Sequence, residues 1–457
     1  MSRDLIVALD EGTSNVKAVA IDAGGRVLAR ASRPLGLITP RAGWVEQDGE
    51  ALLAGSFAVV REVMEQVGAE RVAALAISNQ RETAIGWQRD TGRPLSAALS
   101  WQCSRSAPFC EQLRRDQQEA AIRAATGLPV APLFSGSKMR WLLDNTPDGH
   151  ARAARGEICL GTIDAWLLWR LTGGRQFRCD LSNAARTQLL NLHSLQWDDA
   201  MLALFGIPRA ALPELMPSAG EFGVTCGVPG VADGIPILAM AGDSHAALYG
   251  HGLGRLGGVK ATYGTGSSVM APLGTPDTRI TTLATTVAWH DGERAVYALE
   301  GNIPHTGDGV AWMLQATGLN RLPEAELAGA LQTLPAGIDS TDGVYFVPAL
   351  TGAARLVERV GRRGDVRPES RQRAGASGAG GAGGDRLSNR RCGGGDAAAS
   401  GFSSGPADGG RRADPQRLAD AISGRPAGLP GGAQQHHRAV GVGGRTAGAP
   451  RARLAER

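Results

Sequence analysis

The sequence predicts an α/β protein with two related domains, and three observations support this prediction. Short apolar runs alternate with a helical repeat over the first eighty residues, which is the pattern of sheets and helices packed in layers. Two Gly-Thr turns, each flanked by strand-like segments, lie about 250 residues apart. Beyond residue 352 the periodicity is lost, and glycine and arginine dominate the composition.

The N-terminal segment is predicted to begin with three strands joined by turns, followed by a helix and a further strand. The residues between the strands, such as 10–15, are small and polar types found in turns. Apolar residues between Leu52 and Val67 recur at helical spacing, which predicts the helix. The predicted strands are residues 5–9, 16–21, 26–29 and 72–78.

The same plan of strand, turn and strand recurs in the second half of the chain. Residues 258–263 are strand-like, residues 264–268 are turn-like, and a strand resumes at Val269. Two such hairpins favour two related domains that face one cleft. The predicted units are residues 1–252, an incomplete second domain of residues 253–352, and a tail of residues 353–457.

The tail differs in composition from the rest of the chain. It contains 19 Arg, no Lys and nine acidic residues, a net charge of +10, so residues 1–352 carry −6 of the total of +4. Its glycine-rich runs cannot bury a core that offsets their ordering entropy, so the tail is predicted to be disordered. Phe402 is its one aromatic residue, which argues against nucleic-acid binding by interleaved basic and aromatic side chains.

Cysteine usage and hydropathy predict a cytoplasmic protein. The six Cys residues form no C-x-x-C pair, which favours reduced thiols. The first strand begins directly after residue 4, so no signal peptide is expected. No apolar run approaches the roughly 20 residues of a membrane helix. The sequence leaves open whether the chain forms a homo-oligomer.

The first Gly-Thr turn is a candidate phosphate site. The backbone N–H groups and hydroxyls of residues 12–14 could bind a phosphate, and Asp10 beside them could hold Mg²⁺ directly or through water. A plain hairpin turn is the alternative, and each Gly-Thr turn on its own favours that alternative. The two turns together favour a site in which each turn binds one end of a triphosphate.

Asp243 is a candidate general base. It follows the apolar run 235–240 and precedes a helix-like segment. A carboxylate in this position could take a proton from a hydroxyl group, or it could be a helix N-cap, and the two roles can coexist.

Arg81, Glu82 and Trp101 are candidate substrate residues. The first two follow a predicted buried strand, where they could bind the hydroxyls of a polar substrate while the indole covers its carbon face. A surface salt bridge and a core indole are equally compatible with the spacing. For Lys138 and Trp141, structural packing is favoured.

The order of short motifs from residue 5 to residue 352 resembles the FGGY carbohydrate kinases, and among them the glycerol kinases. The motifs, in chain order, are L-D-E-G-T-S, G-W-V-E-Q-D, S-N-Q-R-E-T, W-Q-C, T-G-L-x-x-x-P-x-F-S-G-S-K, G-T-I-D-A-W-L-L-W, S-N-A-A-R-T, G-D-S-H-A-A-L-Y-G, T-Y-G-T-G and A-L-E-G. The resemblance implies two ribonuclease-H/actin-like domains around a cleft. It also implies transfer of the γ-phosphate of ATP, with Mg²⁺, to a hydroxyl of glycerol or a similar polyol.

The resemblance also implies roles for individual residues. Asp10 would be the carboxylate on the Mg²⁺ side, and Asp243 would be the base that takes the hydroxyl proton. The residues expected to hold the polyol are Arg81, Glu82, Trp101 and Asp243. The residues expected to line the phosphates are Thr13, Ser14, Asn15, Lys17, Thr265, Gly266 and Gly307.

Three positions depart from the pattern of the glycerol kinases. Leu133 stands where they usually have Tyr, Ser244 where they have Gln, and Lys17 where they have Arg. Leu133 lacks a hydroxyl donor and Ser244 is shorter. The resemblance therefore implies either weaker glycerol binding or room for a larger polyol.

The resemblance stops near residue 352, and codons for the tail can be chosen that restore family-like sequence when read one nucleotide later. A frameshift is therefore expected, which leaves the second domain incomplete and activity impaired. Three hypotheses follow: a glycerol kinase, a kinase for another polyol or a ketose, and a non-catalytic remnant that binds a polyol.

Overall fold

The computed structural model of the chain describes residues 3–252, 258–263, 267–279, 283–303 and 306–333. The predicted tail, the turn at residues 264–266 and the presumed end of the second domain therefore lie outside the described residues. The described strands are β1 (Leu5–Glu11), β2 (Asn15–Asp22), β3 (Val27–Pro34), β4 (Glu46–Gln47), β5 (Val72–Asn79), β6 (Ala84–Gln88), β7 (Ala98–Leu99), β8 (Ile158–Thr162), β9 (Arg178–Asp180), β10 (Leu190–Asn191), β11 (Gln196–Trp197), β12 (Glu214–Met216), β13 (Ala219–Val224), β14 (Pro236–Gly242), β15 (Lys260–Tyr263), β16 (Ser267–Leu273), β17 (Ala284–His290) and β18 (Ala295–Ile303). The described α-helices are α1 (Gly49–Val67), α2 (Ala107–Arg115), α3 (Glu119–Thr126), α4 (Ser135–Asp144), α5 (Gly149–Ala154), α6 (Ile163–Leu171), α7 (Leu181–Ala184), α8 (Asp199–Phe205), α9 (Asp243–Gly250), α10 (Gly307–Thr317) and α11 (Glu324–Thr333).

A six-stranded sheet in the order β13-β14-β5-β1-β2-β3 forms the centre of the first part of the chain. The strands predicted at residues 5–9, 16–21 and 72–78 are confirmed. The third strand is longer than predicted and runs from Val27 to Pro34. Ala29 and Ala31 face the core while the polar residues around them stay exposed, so the alternation of a strand continues beyond the short apolar run.

Helix α1 packs against this sheet, as its apolar spacing predicts. Residues such as Leu52, Val59 and Val63 are buried on one face. The Asp48 carboxylate caps the N-terminus by accepting the Glu50 N–H at 2.9 Å, which satisfies a backbone donor that has no partner inside the helix. The predicted helix is therefore confirmed.

The three central strands bring distant segments to one edge of the sheet. Strand β5 runs parallel to both β1 and β14. Its last residue, Asn79, pairs with Glu11 at the end of β1 and with Gly242 at the end of β14. Because parallel strands end at the same edge, the segments that follow them meet there. These segments are the first Gly-Thr turn, the pair Arg81–Glu82, and Asp243.

A second sheet, in the order β15-β16-β18-β17, is antiparallel throughout. Its first hairpin pairs Tyr263 with Ser267, so the strands predicted on either side of the second Gly-Thr turn are confirmed. The sheet packs against the first part of the chain, where the Thr285 N–H donates to the Gly127 carbonyl at 2.9 Å. The division into domains near residue 252 stays a prediction.

In the part of the chain that the structure describes, every helix is too short or too polar to cross a lipid bilayer. The five cysteines among the described residues are all free thiols, and four of them are buried.

Candidate active site

The first Gly-Thr turn joins β1 to β2 at the edge where the parallel strands end. The Gly12 N–H donates to the Asn15 carbonyl at 3.0 Å, which closes the turn. Thr13 is half-buried, whereas Ser14 and Asn15 are exposed. The hydroxyl and amide groups predicted to contact phosphate are therefore at the surface of the hairpin.

Asp10 and Glu11 are adjacent carboxyl groups in different environments. Asp10 is half-buried, accepts a hydrogen bond from the Ser78 hydroxyl at 3.0 Å, and lies opposite the exposed Lys17 across the hairpin. Glu11 is fully buried, and this burial raises the pKa of its carboxyl group to about 8, although hydrogen bonds from Gln80 oppose the shift. Burial therefore favours the neutral form of Glu11 at neutral pH.

The carboxylate of Asp10 is suited to a magnesium ion that is held mainly by other groups. Mg²⁺ usually keeps several waters and is bound through one or two carboxylates together with substrate phosphates. Among the described residues, no group of three or more His, Cys, Asp or Glu could hold a metal ion by itself. The donor set at the first turn fits a nucleotide-bound Mg²⁺ and does not fit a metal held by protein ligands alone.

Trp101 connects the first turn to the segment that follows β5. Its indole Nε1–H donates to the Thr13 hydroxyl at 2.8 Å, and its backbone N–H donates to the Thr83 hydroxyl at 3.1 Å. The side chain is half-buried, so it is not the core indole that the sequence also allowed. The ring therefore lies between the candidate phosphate turn and the candidate substrate residues.

Asp243 is the first residue of α9 and is not its cap. Gly242 occupies the N-cap position, so the interpretation of Asp243 as an N-cap is wrong. The Asp243 carboxylate accepts the Ser244 N–H at 2.5 Å and the Arg81 Nε–H at 3.1 Å. Its side chain is 41% exposed, which leaves the carboxylate accessible from solvent.

Arg81 pairs with a carboxylate at the start of α9 and with a buried carboxylate of the second sheet. Its Nε contacts Asp243, and its Nη1 donates to Oε1 of Glu300 at 2.7 Å. The side chain is only 7% exposed, so the alternative of a surface salt bridge is wrong. Glu300 lies on β18 of the second sheet and also accepts a hydrogen bond from the Ser268 hydroxyl at 2.8 Å.

Glu82 is held by a second arginine. The Arg186 Nε–H donates to the Glu82 carboxylate at 2.6 Å, and Nη1 of Arg186 lies 2.7 Å from the second oxygen of Glu300. Glu82 has a backbone φ of 59°, which is unfavourable for a residue with a Cβ atom and occurs where the surrounding structure enforces it.

Helix α7 places Arg186 beside Glu82. The carboxylate of Asp180 caps this short helix by accepting the Ser182 and Asn183 N–H groups at 2.8 and 3.0 Å. The amides of Asn183 and Asn79 exchange two hydrogen bonds of 3.0 and 3.1 Å. These contacts fix the end of α7 against the end of β5. Helix α7 ends two residues before Arg186, and β5 ends three residues before Glu82.

The buried charges stabilise one another. Burial disfavours the Glu300 carboxylate, but Arg186 and Arg81 outweigh this effect and hold its pKa well below the usual range. Burial likewise opposes the charge of Arg81, but Glu300, Glu82 and Asp243 raise the pKa of its guanidinium. Both groups are therefore ionised at neutral pH.

Lys260 and His245 lie near the same charges. Lys260 donates to the Ser244 carbonyl at 3.2 Å, and burial together with the neighbouring Arg81 lowers the pKa of its ammonium group to about 8. His245 is fully buried, and burial and the charge of Arg81 hold its pKa well below 6.5. His245 is therefore neutral at physiological pH.

Two of the three positions that depart from glycerol kinases, Leu133 and Ser244, flank the candidate substrate residues. Ser244 is buried directly after Asp243. Leu133 is half-buried, and its carbonyl accepts a hydrogen bond from Lys138, whose Nζ also lies 3.4 Å from the Glu82 carbonyl. Lys138 is fully buried and bound to backbone carbonyls, in agreement with the packing role predicted for it.

The second candidate phosphate turn is described only at its margins. Thr265 and Gly266 lie outside the described residues. Gly307 is exposed and begins α10. The residue before it, Thr306, accepts a hydrogen bond from the Ser267 hydroxyl at 2.9 Å, so the start of α10 lies next to the start of β16.

Comparisons with known proteins identify the family and the fold of the chain. A model described as the FGGY family of carbohydrate kinases, N-terminal domain, matches residues 5–250. Apulose kinase of Pectobacterium atrosepticum is 46% identical over 355 residues, which cover 77% of this chain and 70% of that protein. Glycerol kinase of Alkalilimnicola ehrlichii is 44% identical over 350 residues, which cover 76% and 70%. The crystal structure of Plasmodium falciparum glycerol kinase with ADP matches with a TM-score of 0.67 at 29% identity, covering 77% and 70%.

The fold and the matches define a phosphotransferase that acts on an alcohol group of a carbohydrate. The chain belongs to the FGGY family of carbohydrate kinases. The predicted actin-like α/β fold is confirmed by the structural match. The match covers 77% of this chain, and residues 1–352, in which the motifs were found, are also 77% of its length.

Sequence reasoning did not assign a role to Arg186 or Glu300. Both lie in motifs that carried the family resemblance, S-N-A-A-R-T and A-L-E-G. The signal that could have found them was the presence of a charged residue in an otherwise small or apolar motif. Their pairing with Glu82 and Arg81 has no signature in local spacing because the partners are 104 and 219 residues apart.

Proposed function

We propose that this protein phosphorylates a hydroxyl group of a small polyol, with ATP as the phosphoryl donor and glycerol as the first acceptor to test. The observation that carries this proposal is the position of Asp243. Its accessible carboxylate is fixed by Arg81 at 3.1 Å, at the sheet edge that also carries the first Gly-Thr turn. A base and a phosphate-binding turn on one edge are what transfer to a hydroxyl requires.

The proposed donor is ATP with Mg²⁺. Thr13, Ser14, Asn15 and Lys17 of the first hairpin would hold phosphate groups from one side, with Asp10 next to the metal ion. Thr265 and Gly266 of the second turn would hold them from the other side, together with Gly307 at the start of α10. When bound, Mg²⁺ would neutralise the charge that spreads over the phosphoryl oxygens.

The residues of this chain would then act on the acceptor. Arg81 and Glu82 would bind its hydroxyl groups, and Trp101 would cover its carbon face. Asp243 would accept the proton of the attacking hydroxyl, so that the oxygen bonds to phosphorus as the proton moves to the carboxylate. Because the Asp243 carboxylate already accepts two N–H groups on one oxygen, its second oxygen is oriented for the incoming proton.

A ketose or a larger polyol is the second candidate acceptor. Leu133 is apolar where glycerol kinases usually have Tyr. Ser244 has a shorter side chain than the Gln that they usually have. A relative of this chain at 46% identity is named apulose kinase. The smaller side chains at these two positions and this relative both favour an acceptor with more than three carbons.

A non-catalytic polyol-binding protein is the third candidate. It is favoured by the loss of family-like sequence after residue 352, because the missing segment contributes to nucleotide binding in the family that the chain resembles. In each case we expect the protein to act in the cytoplasm, where ATP and free polyols occur together.

Calorimetry on the full chain separates these candidates. Glycerol, erythritol, erythrulose and xylulose are titrated with and without ATP, and phosphoryl transfer is followed by release of ADP. Binding of glycerol with ADP release supports a glycerol kinase, and a preference for erythrulose or xylulose supports a ketose kinase. Binding without ADP release supports the non-catalytic role, and no binding of any of the four compounds contradicts the proposal.

A further inference from the structure

Five charged side chains form a continuous series beneath the cleft, which we call the cleft ion chain. In spatial order they are Glu82, Arg186, Glu300, Arg81 and Asp243. Each neighbouring pair is in contact, with N···O distances of 2.6, 2.7, 2.7 and 3.1 Å along the series. The series begins and ends at residues expected to bind the acceptor.

The middle of the cleft ion chain is more deeply buried than its Asp243 end. The side chains of Arg186 and Glu300 are 0% exposed, whereas that of Asp243 is 41% exposed. Ligands in the cleft therefore reach Asp243 without reaching the two inner residues. Any influence of Arg186 and Glu300 on the acceptor has to pass through the residues that they contact.

Glu300 uses both carboxylate oxygens on different arginines. One oxygen accepts from Arg81 and from the Ser268 hydroxyl, and the other faces Arg186. The two guanidinium groups therefore meet on different oxygens of one carboxylate. Through their Nε atoms the same groups contact Asp243 and Glu82.

Glu82 needs such a support because its backbone conformation is unfavourable. With φ at 59°, it lies in a region that is unfavourable for a residue other than glycine. Its carbonyl accepts from the Ser135 hydroxyl at 3.1 Å, and its carboxylate accepts from Arg186 at 2.6 Å. The backbone carbonyl and the side chain of Glu82 are therefore both held by residues from other segments of the chain.

A purely structural network that joins the two sheets is the alternative explanation. That explanation accounts for the burial of Glu300 but not for the termination of the series at Glu82 and Asp243. A structural ion pair would also not require the strained backbone at Glu82.

We propose that Arg186 and Glu300 are positioning residues, which set the separation and orientation of Glu82 and the Arg81–Asp243 pair for the acceptor. This inference rests on the proposed function, because it assumes that these outer residues bind a polyol or ketose. Neither inner residue contacts the acceptor.

A double-variant cycle on the full chain tests this inference. Dissociation constants for the compound that binds best among glycerol, erythritol, erythrulose and xylulose are measured by calorimetry for the wild type, Glu300→Gln, Asp243→Asn and the double variant. If Glu300 acts through Arg81 on Asp243, we expect Glu300→Gln to raise the Kd about tenfold in the wild-type background and less than about threefold in the Asp243→Asn background.

Two further variants keep the test informative if Glu300→Gln folds poorly. Arg186→Lys keeps the charge but loses the two-sided contact, and we expect it to raise the Kd about tenfold while the thermal midpoint falls by only a few degrees. Glu50→Gln removes one partner of an exposed pair with Arg170 and should leave the Kd unchanged.

Three outcomes would overturn the inference. Unchanged Kd values for both Glu300→Gln and Arg186→Lys would show that the series is structural only. Fully additive effects in the cycle would show that Glu300 does not act through Asp243. If the wild type binds none of the four compounds, the proposed function itself fails and the inference fails with it.

Discussion

The Nη1 atom of Arg81 lies 2.7 Å from Oε1 of Glu300, although 219 residues separate the two in the chain. This contact joins the end of β5 in the first sheet to β18 in the second. Both side chains are buried, Arg186 and Arg81 together hold the pKa of Glu300 well below its usual range, and Glu300 is the largest of the carboxylates that raise the pKa of Arg81. The relationship leads directly to a prediction about stability.

Glu300→Gln is expected to reduce the free energy of unfolding by about 3–5 kcal/mol, because removing one partner of a buried ion pair leaves the other charge uncompensated. Urea unfolding followed by circular dichroism measures the change. The matched control is Asp199→Asn, whose pair with Arg209 is largely exposed and is worth about 0–1 kcal/mol. Equal losses for the two variants would contradict the prediction.

Restoring the shifted reading frame from residue 353 onward is expected to increase both solubility and kinase turnover. On α10, Val310 and Trp312 are 57% and 46% exposed, and exposed apolar surface of this kind promotes association. The original chain and the frame-restored chain are compared by light scattering and by ADP release with the preferred acceptor. A monodisperse original chain with equal turnover would show that the frameshift interpretation is wrong.

Asp243→Asn in the frame-restored chain is expected to lower kcat by roughly 10²–10⁴-fold, because the amide cannot accept the hydroxyl proton while general-base catalysis supplies a factor of this size. Calorimetry should show that ATP still binds. An unchanged kcat would leave Asp243 with a structural role only.

Trp101→Phe is expected to weaken ATP binding about fivefold. The substitution keeps an aromatic face for the acceptor but removes the 2.8 Å hydrogen bond to the Thr13 hydroxyl, which is worth about 1 kcal/mol. Trp197→Phe is the control, since it removes an indole hydrogen bond of the same length to Pro213. Calorimetry with ATP measures both, and a change in acceptor affinity alone would contradict the assignment of Thr13 to the phosphates.

The wild type is expected to become more stable as the pH rises above 8, and Lys138→Met is expected to lack this increase. Burial lowers the pKa of the Lys138 ammonium from 10.5 to about 8. Between these values the unfolded chain binds a proton that the folded chain does not, so folding stability increases as pH rises from 8 to 10.5 and is flat below 8.

The measurement for Lys138 is a series of urea unfolding curves at pH 7–10. The free energy of unfolding of the wild type should increase above pH 8 relative to that of Lys138→Met. Arg140→Met, on the same helix and partly exposed, should keep the wild-type slope. If the free energy of unfolding changes with pH in the same way for the wild type and for Lys138→Met, the prediction is wrong.

The sequence predicted the local elements near the site because each has a local physical signature. The hairpin β1–β2 has turn residues between apolar strands, and α9 follows an apolar run that ends at Asp243. The end of β3 was placed too early because the exposed residues Arg30 and Ser32 hide the alternation that Ala29 and Ala31 continue.

The ion pairs could not be predicted in the same way. Arg81 was assigned to the substrate by resemblance, but its burial and its pairing with Glu300 depend on how two sheets dock. Arg186 reaches Glu82 only because Asp180 caps α7 and Asn183 pairs with Asn79. Such contacts depend on tertiary packing and leave no period in the sequence.

The separation of Arg81 from Glu300 also matters while the protein is being made. A ribosome adds about 5–20 residues per second, so Glu300 joins the nascent chain about 10–45 s after Arg81. During that interval the first sheet can form, and Arg81 and Arg186 have Asp243 and Glu82 as partners but lack Glu300, which contacts both arginines in the folded protein. The cleft ion chain therefore cannot be completed until β18 has left the ribosome.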